Sequence, residues 1–204
     1  MLTYERNEPD SGVPRAHPWT DARSNAAFRY YNFKSNPELI RSSLEDISPW
    51  EGYPAAETFY LLVEWLNFPG GRWESNDCAF NPPGANESPQ FKKNLVCSGR
   101  IMVLYRSLLL NLSRPRLEHL ESSVHGTLAG IDREFKWGAV ATSIMRTKYI
   151  SLPVSDKDNT GYQLMLSFWA WGDDEAETMS NLDRVLVNLR EALQKISLDS
   201  KNFS

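Results

Sequence analysis

The chain has 204 residues, 41% of them hydrophobic, with seven tryptophans and a formal net charge of −4. That is ample material for one core and lies in the single-domain range. Two cysteines, Cys78 and Cys97, are too few for a disulfide framework and read as free thiols of a reducing cytosol. The first 30 residues lack the apolar run of a secretory signal, and no stretch of about 18 apolar residues suggests a membrane span.

Residues 1–24 are polar and carry Pro9, Pro14 and Pro18, which predicts a loosely ordered arm ahead of one domain over 25–204. Phe28–Phe33 is aromatic and reads as a short strand or an extended lead-in. Asn36-Pro37-Glu38 is a helix start, with a capping Asn, Pro at the first helical position and an acid where the helix dipole favours it. That helix is expected to reach about Asp46. Pro54 opens a second helix, with Ala55, Phe59, Leu62, Val63 and Leu66 on one face, and Pro69-Gly70-Gly71 ends it after Asn67. Residues 70–88 then read as a long irregular connection, a length usually tied to function or disorder. Ser88-Pro89 suggests a short helix to Leu95. Gly99–Tyr105 has strand composition, although a helix fits 101–110 nearly as well. Leu117, Leu120, Val124 and Leu128 mark another amphipathic helix. Phe135–Leu152 reads as a strand pair or one bent strand, with a bulge at Gly138, and residues 156–161 (DKDNTG) as a turn.

The clearest signal is a change of period at Gly172. Before it, Tyr162, Leu164, Leu166, Phe168 and Ala170 alternate with Gln163, Met165, Ser167, Trp169 and Trp171, as in a strand covered on both faces. After it, Ala176, Met179, Leu182, Leu186, Leu189, Leu193 and Ile196 recur every three or four residues, as in an amphipathic helix. The expected fold is therefore α+β: an antiparallel sheet with strands near 99–105, 135–152 and 162–171, packed by amphipathic helices that include a long C-terminal one.

Charge is unevenly spread. Residues 36–77 hold eight acids and two bases, whereas residues 88–117 hold six bases and no acid. These blocks either face each other or water, or the acidic block presents a field to a basic partner. The basic block invites a nucleic-acid reading, but Arg100 and Arg106 flank an apolar run and no RNA-binding signature appears, so nucleic acid is not the expected partner. The segment Trp73-Glu74-Ser75-Asn76-Asp77-Cys78 concentrates side chains that can act, either as turn formers, as a docking loop, or as acid and nucleophile. His119 and His125 are six apart, wrong for a metal pair on one helix, and no metal spacing links His17 or the cysteines to them. Asp173, Asp174, Glu175 and Glu177 crowd a helix start beside Trp171, where they offset the dipole or form an acidic rim next to an aromatic anchor. Nucleotide-binding, zinc-protease and serine-hydrolase motifs do not occur.

Three stretches, WLNFPGGRWESNDCAF (65–80), GRIMVLYRSLLLNLS (99–113) and LMLSFWAWGDDEAE (164–177), resemble bacterial immunity proteins of contact-dependent growth-inhibition systems. The resemblance implies a non-enzymatic cytosolic protein that binds a cognate toxin domain, often a nuclease, without cofactor or metal. Local chemistry nominates Glu57, Glu64, Trp73, Glu74, Asn76, Asp77, Trp171, Asp173, Asp174, Glu175 and Glu177 as partner-binding residues, and no residue as catalytic. The alternative is a small cytosolic hydrolase or transferase using residues 73–78. It predicts a histidine or ion within hydrogen-bond reach of Glu74, Asp77 or Cys78; the docking reading predicts no such convergence.

Overall fold

The computed structural model describes residues 1–5, 14–18, 33–88, 92–152 and 159–199. The change of period at Gly172 is a strand-to-helix turn between β6 (Thr160–Gly172) and α4 (Glu175–Asp199). Asp174 Oδ1 accepts the Glu177 N–H at 2.8 Å, and Glu177 Oε2 reaches back to the Asp173 N–H at 2.7 Å. This is a reciprocal cap built from acids alone. No side chain fits at Gly172, where a Cβ would stand 2.4 Å from the Thr178 nitrogen.

The other strands are β1 (Leu2–Glu5), β2 (Arg15–His17), β3 (Trp73–Ala85), β4 (Leu95–Tyr105) and β5 (Gly138–Tyr149). They form one sheet in the order β1-β5-β6-β4-β3, and β2 pairs with the same strand as β1, further along β5. The β3–β4, β4–β6 and β5–β6 pairs are antiparallel; β1 and β2 run parallel to β5. The remaining helices are α1 (Ile40–Ser43), α2 (Pro54–Asn67) and α3 (Arg114–Gly130). The fold is α+β with a mostly antiparallel sheet and a long C-terminal helix, as expected.

Several local expectations are corrected. Residues 73–85 are an edge strand, not an irregular loop. Polar WESNDC and Pro82-Pro83 hide it, because register slips fall at Ser75/Cys78 and at Asn81/Gly84, and an edge tolerates proline at a bulge. No helix leads from Ser88 to Leu95: residues 86–88 and 92–94 are not helical, and Leu95 already belongs to β4. Residues 101–110 divide at Tyr105, with strand before it and a 3-10 turn over Leu108–Leu112 after it. Asn111 makes that turn possible, since its carboxamide exchanges two 2.8 Å bonds with the Tyr105 backbone. The helix expected from Asn36 shrinks to a 3-10 turn (Pro37–Leu39) plus α1, and the Asn36 side chain makes no cap bond. β5 is one continuous strand, and Gly138 begins it rather than bulging it. Residues 2–5 and 15–17 of the expected loose arm are strands. Phe33 is the one residue of the 28–33 segment that is described.

Helices α2, α3 and α4 cover one face of the sheet. Their Leu62, Leu66, Leu117, Leu120, Leu186 and Leu189 share a core with Ile101, Val103, Leu164, Leu166 and Phe168. The opposite face is also buried, through Met102, Leu104, Ala139, Ala141 and Tyr149. Two-sided burial explains the continuous apolar reading of β6.

The sheet rolls until its edges meet. Ser75 pairs with Val103 and Cys78 with Ile101, so Asn76 and Asp77 together oppose Met102. This bulge turns both side chains toward β2. Arg15 reaches Asp77, the Ala16 carbonyl accepts from Asn76, and His17 meets Glu74. β2 thus binds β5 through its backbone and β3 through side chains.

Close packing of the Phe168 ring against Gly99 sets one test. At Gly99 a Cβ would lie 2.4 Å from the Phe168 ring and 2.6 Å from the Ala79 carbonyl oxygen. Gly99→Ala is expected to destabilise by about 1–3 kcal/mol through overpacking, measured by urea unfolding with an unchanged m-value.

Candidate functional site

The strongest concentration of buried polar chemistry is the β2–β3 closure. His17 Nε2 stands 2.8 Å from Glu74 Oε1, and Lys34 Nζ 3.0 Å from Oε2. Asp77 Oδ2 holds Arg15 at 3.0 Å and Arg100 at 3.1 Å. Between the two carboxylates, Asn76 Nδ2 donates to the Ala16 carbonyl and to Gln163 Oε1, each at 3.1 Å. The His17 ring tilts against Tyr149 at 5.4 Å, and the Tyr149 hydroxyl donates to the Tyr162 carbonyl at 2.6 Å. Burial alone would raise the Glu74 carboxyl, but the bonds from His17 and Lys34 outweigh it and hold it below its ordinary value. Burial, with the Glu74 charge adding, pushes the Tyr149 phenol up.

This closure bears on both sequence readings. A histidine does reach Glu74, so the convergence that the docking reading did not expect is present at this one pair. It is enclosed: His17 is 6% exposed and Glu74 4%, and the second carboxylate oxygen belongs to Lys34. The thiols are poor nucleophiles. Burial first, then the Asp77 charge, pushes Cys78 up to about 12, and burial pushes Cys97 up to about 12. On the helical side, His125 Nε2 stands 2.8 Å from the Thr142 hydroxyl, which donates to Glu121 at 2.7 Å. The hydroxyl therefore lies between carboxylate and imidazole, whereas a triad needs the imidazole in the middle. His119 is exposed on α3, as its position beside Leu120 suggests. Among the described residues no group of three His, Cys, Asp or Glu side chains is arranged to hold a metal.

The nominated docking residues separate into two sets. Trp73 is 2% exposed and stacks at 4.8 Å on Tyr105; with Glu74, Asn76 and Trp171 it is buried, and none of the four is a surface anchor here. Asp77 is tied into the closure. Glu57, Glu64, Asp173, Asp174, Glu175 and Glu177 lie on the helical side, several in local pairs. Arg41 bonds Glu57 and Glu64 at 2.7 and 2.8 Å, and Lys93 bonds Asp173 and Glu177 at 2.7 and 2.6 Å.

Two cross-links bring α2 and the start of α4 together. The Tyr53 hydroxyl donates to Glu175, and Thr58 Oγ1 donates to Asp183 Oδ1 at 2.5 Å. Glu51, bonded to the Tyr60 hydroxyl at 3.0 Å, joins the same face. Glu51, Glu57, Glu64, Glu175 and Asp183 are thereby gathered, and Arg41 is the base that the ion pairs place among them. Leu61 and Val187, 38% and 42% exposed, follow one turn beyond Thr58 and Asp183 on their respective helices. Periodicity gave each helix but not their side-by-side placement, so Glu51 and Asp183 escaped the nomination.

No family model, no curated protein and no solved structure matches the chain. No helix among the described residues is long and apolar enough to cross a membrane.

The sign of the acid effect at Glu74 follows from its lowered value. Its contribution to stability is complete above the ordinary carboxylate value of 4.5 and drains as pH falls through the lower value it has in the fold. Glu74→Gln is expected to cost roughly 1–3 kcal/mol at pH 7, with the gap to the unmodified protein closing below about pH 4. Paired urea titrations across that range measure it; a gap independent of pH would contradict the assignment.

Proposed function

We propose that this chain is a cytosolic immunity protein that binds and neutralises a cognate toxin domain, through the acidic helical face formed by α2 and α4. The observation that carries this reading is the gathering of Glu51, Glu57, Glu64, Glu175 and Asp183 around the Tyr53–Glu175 and Thr58–Asp183 bonds. A negative face with two exposed aliphatic side chains suits a basic partner shaped for nucleic acid: charge speeds encounter and apolar contact slows departure. The pairs of Arg41 with Glu57 and Glu64 are solvent-exposed, so a basic partner displaces Arg41 at a cost of about 1 kcal/mol or less. The resemblance to immunity proteins of contact-dependent growth-inhibition systems points the same way.

A second reading, a hydrolase or transferase built on residues 73–78, has one observation in its favour, the His17–Glu74 pair. Enclosure of that pair and the raised Cys78 thiol weigh against it.

The test is co-expression with a candidate basic toxin domain. Protection of growth is expected, together with a complex whose association slows at least about tenfold in Glu57→Lys/Glu64→Lys/Glu175→Lys at low salt and much less at high salt. Protection that survives the triple reversal with unaltered association kinetics would remove this face from the interface.

A further inference from the structure

The β2–β3 closure lies on the opposite side of the sheet from the acidic helical face, and it has a property of its own. β2 is three residues long, and each contributes one contact to β3: Arg15 to Asp77, the Ala16 carbonyl to Asn76, and His17 to Glu74. All three contacts are polar. The apolar surface that holds most strands in a sheet is replaced on this side by two carboxylates: Glu74, between His17 and Lys34, and Asp77, between Arg15 and Arg100. The charged and titratable groups facing this strand are Lys34 from the segment before α1, Glu74 and Asp77 from β3, Arg100 from β4 and Tyr149 from β5. On its other side β2 keeps a parallel ladder with Thr147–Tyr149, and the Ile150 N–H donates to the His17 carbonyl at 2.9 Å.

We propose that β2 is a charge-operated latch, which undocks from β3 and β5 as a unit when Glu74 loses its charge, while the β3-β4-β6-β5 meander and its helices stay folded. Loss of that charge removes the counter-ion of Lys34 and the acceptor facing His17 together, so both contacts to Glu74 weaken at once. The low resting value of Glu74 fits this, because it keeps the latch shut until the solution is distinctly acid. Undocking admits water to the Gln163 amide, which is fully buried and whose Nε2 has no partner among the described residues, and to His17 Nδ1, which likewise has none among them. Opening therefore relieves two desolvated polar atoms and is cheaper than the number of bonds broken suggests.

Amide hydrogen exchange by NMR reads this directly, with Ile150 as reporter and Leu164–Phe168 as internal control. In Glu74→Gln at pH 7, and in the unmodified protein taken from about pH 7 to about pH 3, the protection factor of Ile150 is expected to fall about tenfold or more while the β6 amides keep theirs. Should Glu74→Gln fail to fold, Arg15→Met, a change on the latch itself, provides the same comparison. Ile150 protection that is unchanged, or that falls in step with β6, would overturn the latch.

Discussion

Closing a rolled sheet with side chains rather than backbone is the constraint on which the arrangement of this molecule depends. β3 meets β2 through side chains, and its bulge at Asn76-Asp77 interrupts the β3–β4 ladder at the same place. What the bulge provides is direction: two consecutive side chains point to one side instead of alternating. A carboxylate, a carboxamide and a second carboxylate then meet the three residues of β2 in order. Burying those charges is costly unless each has opposite charge and its lone pairs are bonded. Glu74 has His17 and Lys34 beside it, and Asp77 has Arg15 and Arg100.

The same logic disposes of the basic block. Of its six cations, Arg100 serves the closure, Lys93 serves the start of α4, and Arg114 pairs with Glu118 one helical turn away. Arg106 donates to the carbonyls of Phe68 and Trp73, stitching the end of α2 to β3. Four of the six are thus engaged in ion pairs or backbone bonds within the fold. The acidic and basic blocks do meet across the fold at Asp77 and Arg100. Arg72, from the acidic block, lies over the Trp73 and Tyr105 rings at 5.5 and 5.3 Å, so part of the local charge imbalance is absorbed by aromatic faces.

Legibility in the sequence tracks how far each element depends on distant partners. β6 and α4 were readable because each shows one unbroken period with a breaker between them, and the acidic cap needs only neighbours. α2 and α3 were readable for the same reason. β3 was not, because its apolar positions Trp73, Cys78 and Phe80 lose phase at the bulge; alternation with a one-residue slip was the signal available. β2 offered none: Arg15-Ala16-His17 has no strand composition and is a strand because β5 and the bulged β3 make room for it. Nothing within 57 positions of His17 indicates that Glu74 is its partner, so a pair assembled entirely by topology lay outside any local reading. Trp73 shows the converse error, since proximity to charged residues made a core side chain look like an anchor.

Carboxylates in this chain therefore do two jobs, distinguished by how they are paired. Glu74 is buried and Asp77 largely so, and each engages two side chains, so losing either leaves polar partners unsatisfied at a cost of roughly 1–3 kcal/mol. Glu57 and Glu64 share one exposed Arg41, in a setting where water and salt compete with every contact and a pair contributes about 0–1 kcal/mol. An exchange of Arg41 for the lysine or arginine of a partner is nearly neutral in its own right. In the proposed complex, the binding energy would come from what a partner adds, namely further charge toward Glu51, Glu175 and Asp183 and apolar contact with Leu61 and Val187. The buried carboxylates of the closure, by contrast, serve the sheet itself: they hold β2 against β3 on the side away from that face.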